Sequence, residues 1–223
     1  MPAPGPPPMR ERYRAHVRHE VKQAALRQLA ESGPAAVSIS AIGKQLGMSG
    51  PALYRYFASR DELLTELTID AYHDLADALG AAAGRAADRG ARARLEEVGR
   101  AYRSWALAQP HRYRLLYGPP LPGYDAHAQR LVEAAHASMA VLIEVLNGLG
   151  DPAAPPPGPP LASQLSAWAR KHSLGADPAT ALGAVLAWSR LHGFVSLEIA
   201  GNYASMNIDP DQVFEIQLAT LTV

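Results

Sequence analysis

The 223-residue chain has no cysteine. Disulfides, thiolate metal sites and a cysteine nucleophile are therefore excluded, and the composition suits a cytoplasmic protein. Aromatic residues are scarce, at 7%. Ala and Leu dominate the apolar set, and both favour helix, so the expected fold class is all-α. Long hydrophobic runs are missing too. None approaches the roughly 20 residues of a membrane span, and the opening MPAPGPPPMR lacks the apolar stretch of a signal peptide. No membrane association is expected. The glycine-containing segments GPPLPG and GAAAGR carry no Lys-Ser/Thr and follow no strand, so they are not phosphate loops. No serine sits in a nucleophile-elbow context. His16 and His19, and His127 and His136, have no tight carboxylate cluster around them, so no metal site is expected. With no catalytic constellation and no cofactor motif, a helical enzyme or small-molecule carrier is the remote alternative.

Net charge is also absent, with 21 basic and 21 acidic residues. Zero is the sum of two unlike parts. Residues 1–60 hold nine basic side chains against three acidic ones, a charge of +6, and the remainder carries −6. Such asymmetry fits one module that meets phosphates and another that does not, although a solvated helix face would read the same way.

The chain divides into a Pro-rich, disordered tail (1–9), a front segment of short helices (10–60) and a longer helical region (61–223). Val17, Val21, Ala24, Ala25 and Leu29 recur at three- and four-residue steps, one face of a helix over 12–32 ended by Gly33-Pro34. Ser38 can cap a helix from Ile39 to about Leu46, and Gly47 breaks it. Ser49 can cap the next, with Pro51 in its first turn, running to about Phe57. Ser59 and Glu62 have capping-box spacing and open a helix to about Ala83, before a small polar loop over 84–90. Further helices are expected over 92–108, 110–117, 125–149, 161–172, 178–203 and 210–221. The proline-rich stretches Gly118–Gly123 and Asp151–Pro160 separate two of them as loops.

Ser38 to Arg60, SISAIGKQLGMSGPALYRYFASR, has the grammar of a helix-turn-helix. Ile42 and Leu46 pack against Leu53, and Gly47 supplies the freedom of the tight turn. The second helix starts with small residues, Ser49, Gly50, Pro51 and Ala52, and can approach a major-groove floor closely. Tyr54, Arg55 and Tyr56 then project. Arg55 can read guanine O6 and N7, while Tyr54 is divided evenly between core support and phosphate contact. Arg60 suits a flanking phosphate. Ser38, Ser40, Arg12 and Arg14 complete the candidate DNA-contacting set.

The run Ile42-Gly43-(x)2-Leu46-Gly47-Met48-Ser49-(x)3-Leu53-Tyr54-Arg55-Tyr56-Phe57-(x)-Ser59-Arg60-(x)2-Leu63-Leu64 resembles the signature of TetR-family regulators, with Gly43 where Ala is commoner and Arg60 where Lys is commoner. The resemblance covers residues 12–75. It implies a homodimer on a palindromic double-stranded operator, with a small-molecule effector held in the helical region. The expected function is a repressor released from its operator by a small hydrophobic or amphipathic ligand, with a TetR-fold activator or a ligand-blind regulator as the alternative. Trp105 to Tyr117 and the segment AWSRLHG resemble the C-terminal domain of the subgroup named for Trp, His and Gly, here Trp188, His192 and Gly193. Tyr102, Trp105, Tyr113, Leu116, Tyr117, Met139, Trp188 and His192 are then candidate pocket residues, each taken singly reading as core ahead of ligand contact. Gly193 would let a neighbouring helix approach. Leu191, Val195, Leu197, Ile199, Val213, Phe214, Ile216, Leu218 and Leu221 are the candidate dimer surface, because the last two helices are more apolar than one core face requires.

Overall fold

A computed structural model describes residues 8–118, 129–149 and 154–221, and all regular structure among them is helical. The first helix, α1 (Met9–Ser32), buries Val17, Val21, Ala24, Ala25 and Leu29. It starts earlier than expected. The Pro8 carbonyl accepts from the Glu11 and Arg12 amides, so Met9 is helical and not part of a disordered tail. Residues 1–7 lie outside the described residues.

Gly33 (φ +76°) ends α1, and a 3₁₀ turn (Pro34–Ala36) leads to α2 (Ile39–Gln45) and α3 (Gly50–Tyr54). The Ser38 hydroxyl accepts from the Ala41 amide at 3.4 Å, as a cap should. Gly47, at φ +66°, makes the turn in the left-handed region that favours glycine. Two details differ from expectation. Ser49 makes no side-chain cap bond. The helix also stops at Tyr54, because the Arg55 and Tyr56 amides bond to carbonyls three residues back, at 3.3 and 2.9 Å, and tighten the last turn.

The long helix α4 (Arg60–Arg85) is the beam of the molecule. Ser59 Oγ caps it by accepting from the Glu62 amide at 3.0 Å, and the Glu62 carboxylate accepts from the Ala58 amide. Its first turns deliver Leu63, Leu64 and Leu67 to the core beneath α1–α3. Its later turns deliver Ala71, Leu75, Leu79 and Ala83 to a second core. The expected loop over 84–90 shrinks to a 3₁₀ turn (Ala87–Arg89). The alanine run favours helix, and Ala82, Ala83 and Ala86 are buried.

The second core is completed by α5 (Gly90–Ala108), α6 (Pro110–Tyr117), α7 (Gln129–Asn147), α8 (Pro159–Lys171), α9 (Pro178–Ile199), the short α10 (Asn202–Ser205) and α11 (Pro210–Ala219). Residues 119–128, with most of the first proline loop, Asp125 and His127, lie outside the described residues, as do 150–153; residues 154–158 are irregular. The helix expected over 178–203 ends at Ile199 because Gly201 turns left-handed (φ +80°). Asp177 and Asp209 cap α9 and α11 with their carboxylates, each ahead of a first-turn proline.

Packing corrects the expected dimer surface. Leu191, Val195, Phe214, Leu218 and Leu221 are at most 4% exposed inside the single chain, and so have no surface to give a partner. These side chains pack with Val98 and Tyr102 of α5 in the second core, and ion pairs flank the contact. Arg100 takes Glu215 through two bonds, at 3.0 and 2.7 Å, and Arg103 takes Glu198 and Asp211. Gly99 allows the close approach: a β-carbon there would lie 2.4 Å from a Leu218 methyl. Ile199 and Val213 are partly buried against the same core. The outward residues are Leu186, Leu197 and Ile216, at 42, 44 and 68% exposure. Gly193 has no neighbour within 4 Å of where a β-carbon would sit, so the close approach expected there is not made within the chain.

Candidate functional site

The front of the molecule presents a basic surface built by two elements. Tyr54 is 52% exposed, which decides its position for the surface and against the core. Arg55 is exposed beside it, and Arg10, Tyr13 and Arg14 of α1 share a concavity with Arg55 and Tyr56. Arg12 is exposed on the same helix. Gly50 has open space around it, and Ser49 and Pro51 are exposed, so the start of α3 is bare and able to approach a flat or grooved partner. Ser38 and Ser40 share a hydroxyl contact of 3.1 Å and line a second concavity with Tyr54 and Arg60.

Arg60 and Arg18 have duties that their sequence context did not reveal. Arg60 donates from Nε to the Val37 carbonyl at 3.0 Å and from Nη2 to the Pro34 carbonyl at 2.6 Å. It therefore clamps the α1–α2 connection. Phe57 is fully buried, with the Arg18 guanidinium 4.3 Å from its ring centroid. Arg18 also donates to the Tyr56 carbonyl just past α3.

The two cores are joined by ion pairs centred on α4. Glu66 takes Arg18 and Lys22 of α1, both at 3.2 Å, and Arg130 of α7 at 2.7 Å. Burial opposes its charge, but the Arg130 and Lys22 hydrogen bonds, with the Lys22 and Arg18 charges, outweigh it and hold the carboxyl below its ordinary value. Asp74 behaves alike. Burial is overcome by the Trp105 indole (2.9 Å), Arg112 (2.8 Å) and Gln109, which tie α5 and α6 to α4.

Behind these ties lies a partly open cavity of about 330 Å³. Of the sequence candidates, Tyr102, Tyr117, Met139 and Trp188 line it. Trp105, Tyr113, Leu116 and His192 do not. Trp105 is turned to Asp74, and Leu116 packs against the second core. Tyr113 bonds to His192 Nδ1 at 2.8 Å and Ser196 Oγ at 2.9 Å, so this polar network stands behind the wall, not in it. His192 still touches the wall by stacking on Trp188, ring centroids 5.5 Å apart.

The sequence reading missed Tyr72 and Leu79 of α4, His136, Ser138 and Leu142 of α7, and Trp168 of α8 as cavity residues. The aromatic and polar positions on α7 and α8 were the available signal. His136 accepts from the Trp168 indole at 3.1 Å and stacks on His172. Among the described residues, no group of three or more His, Asp or Glu could hold a metal ion, and no helix is long and apolar enough to cross a membrane.

Burial holds His192 below its ordinary value of 6.5, so the folded chain keeps it neutral. The unfolded chain then binds a proton first as pH falls, and stability is lost from about pH 6.5 down to the folded pKa. We expect the thermal midpoint to drop between pH 7 and pH 5, and to drop less in a His192→Asn variant. Equal pH slopes in the two proteins would remove His192 from the network's energetics.

Known proteins match both halves of this arrangement. Residues 23–67 match the family model described as bacterial regulatory proteins, tetR family, and residues 95–221 match that of the tetracyclin repressor-like C-terminal domain. HTH-type transcriptional regulators of Mycobacterium bovis and Mycobacterium tuberculosis are 34% identical over 217 residues, 93% of this chain and 92% of theirs. A crystal structure described as that of a regulatory protein superposes with a TM-score of 0.82 at 41% identity, covering 96% of this chain and 98% of the other. A Rhodococcus protein described as of unknown function shares the fold, with a TM-score of 0.67 at 24% identity and coverage of 92% and 93%.

Proposed function

Because the chain belongs to the tetR family of bacterial regulatory proteins, and is thus a DNA-binding transcriptional regulator and not an enzyme, we propose that it is a cytoplasmic, effector-released repressor. One observation carries this reading. α4 begins beside the basic face of α3 and continues as a wall of the cavity through Tyr72 and Leu79. A ligand that shifts α4 or α7 would act on Glu66, and through Arg18 on the Tyr56 carbonyl and Phe57 at the end of α3.

Two copies bind one palindromic operator, their α3 helices in successive major grooves about 34–36 Å apart. The two copies meet through the outward faces of α9 and α11. Support comes from the exposed Leu186, Leu197 and Ile216 and from the bare backbone at Gly193, where a partner helix can approach. Trp188, His192 and Gly193 are the mark of the narrower subgroup, with Trp188 on the cavity wall, His192 bracing it and Gly193 at the dimer seam. Effector binding changes the α3 spacing, and the differential affinity for the two states supplies a coupling of about 1–3 kcal/mol.

The reading is tested by selecting bound fragments from genomic DNA and following the gene beside the enriched site. Transcription of that gene is expected to rise when the regulator is deleted. A fall on deletion would identify an activator and overturn repression.

A further inference from the structure

The cavity wall is aromatic and uncharged. Tyr72, Tyr117, Trp168 and Trp188 contribute flat faces, and no Asp, Glu, Lys or Arg is among its described lining residues. The one imidazole in the wall is already committed: His136 Nδ1 faces the Val132 carbonyl and Nε2 accepts from the Trp168 indole. An ionised ligand would therefore give up water and meet no counter-charge.

Two hydroxyls in this wall are exceptional. Tyr102 Oη and Ser138 Oγ are buried without a hydrogen bond of ordinary geometry among the described residues, the Tyr113 and Tyr117 phenols being polar neighbours of Tyr102. The contrast with their neighbours is sharp. Thr65, Thr68 and Ser189 satisfy their hydroxyls on the carbonyl four residues earlier in their helices. Ser138, also mid-helix, does not. Tyr113 bonds to His192 and Ser196. Burial, reinforced by the nearby Tyr117 and Tyr113, pushes the Tyr102 phenol far above its ordinary value, so it stays protonated and able to donate. Buried polar groups without partners are few in folded proteins, and one explanation is an absent ligand.

We propose that the effector is an electrically neutral, mainly aromatic molecule with one or two carbonyl-type acceptors for the Tyr102 and Ser138 hydroxyls. This rests on the reading of the cavity as the effector site. Size follows from volume. An apolar cavity near 150 Å³ accepts benzene, so about 330 Å³ accepts roughly twice that, on the order of a dozen non-hydrogen atoms. Water entering the empty cavity would serve the two hydroxyls. A pure hydrocarbon displaces that water without replacing its bonds, whereas a carbonyl replaces them.

Calorimetry with three probes of one shape tests the chemistry without DNA: 2-acetylnaphthalene, its alkene counterpart 2-isopropenylnaphthalene, and 2-naphthoate. We expect the ketone to bind about 10-fold more tightly than the alkene, and the carboxylate about 100-fold more weakly than the ketone. In the Tyr102→Phe/Ser138→Ala double variant the ketone and alkene should bind alike. Naphthoate binding as tightly as the ketone, a ketone preference that survives in the double variant, or no binding of any probe would overturn the proposal. An Ala135→Phe variant, which fills the cavity, should bind none of them. Undiminished ketone binding by that variant would move the site elsewhere and take the cavity reading with it. If Ala135→Phe does not fold, the double variant still decides the chemistry. Ketone binding with the expected preferences but unchanged operator affinity leaves the chemistry standing and removes only the release step.

Discussion

Replacing Arg55 with Ala is expected to weaken operator binding about 10- to 100-fold per half-site, the cost of one lost bidentate guanine contact. The loss compounds in a dimer that uses Arg55 twice. The physical case is one of freedom. Arg55 is exposed at the end of α3, has no ion-pair partner among the described residues, and sits beside exposed Tyr54 on a surface shared with Arg10 and Arg14. Removing it should leave the melting temperature unchanged. Arg60→Ala should do the reverse, lowering the melting temperature, because the guanidinium of Arg60 holds the Val37 and Pro34 carbonyls. Fluorescence anisotropy at several salt concentrations separates base reading from phosphate contact. A base reader relaxes specificity at one position, whereas a phosphate contact lowers the salt slope by about one. Arg55→Ala binding with wild-type affinity would remove α3 from the interface.

With the proposed seam on the outward faces of α9 and α11, Leu197→Glu is expected to leave monomers, read as half the mass of a dimer by sedimentation equilibrium. Leu197 is 44% exposed on the outward face of α9, one turn beyond the bare backbone of Gly193, with Ile216 of α11 exposed as well. A charge there would be buried unpaired, twice, across a two-fold seam. Operator affinity should fall about 100-fold or more, since the second half-site is then no longer delivered at high effective concentration. Leu191→Ala gives the contrasting result. Leu191 is 2% exposed within the chain, so its truncation should cost about 2–5 kcal/mol of fold stability while the surviving protein still dimerises. A Leu197→Glu dimer of unchanged mass would place the seam elsewhere.

The contrast between Leu197 and Leu191 also marks where sequence reading stops. The helix-turn-helix was legible because its rules are local. The Ser38 cap, the left-handed Gly47, the Ser59–Glu62 box and the burial of Ile42, Leu53 and Phe57 all act within 25 residues of chain. Even there, the short α3 and the inward-turned Arg60 depend on backbone carbonyls that no side-chain pattern encodes. α9 is apolar on two faces, and periodicity cannot say which one is inside. The answer comes from packing with Val98 and Tyr102 of α5, flanked by Arg103–Glu198 and Arg100–Glu215, pairs 95 and 115 residues apart in the chain. The cavity was half legible for a related reason. Tyr102, Tyr117, Met139 and Trp188 were identified as aromatic or flexible apolar residues, but Tyr72, Ser138 and Trp168 come to the wall only through the packing of α4, α7 and α8.

The central claim is that two copies of this chain read a two-fold DNA site through α3. It is tested most directly by titrating the protein against the selected palindrome, one isolated half-site and a scrambled duplex of equal length at the same salt concentration. The account predicts two chains per palindrome, affinity at least about 1,000-fold above the scrambled duplex, and a half-site that binds far more weakly than the palindrome. Equal affinity for the palindrome and the scrambled duplex would contradict it.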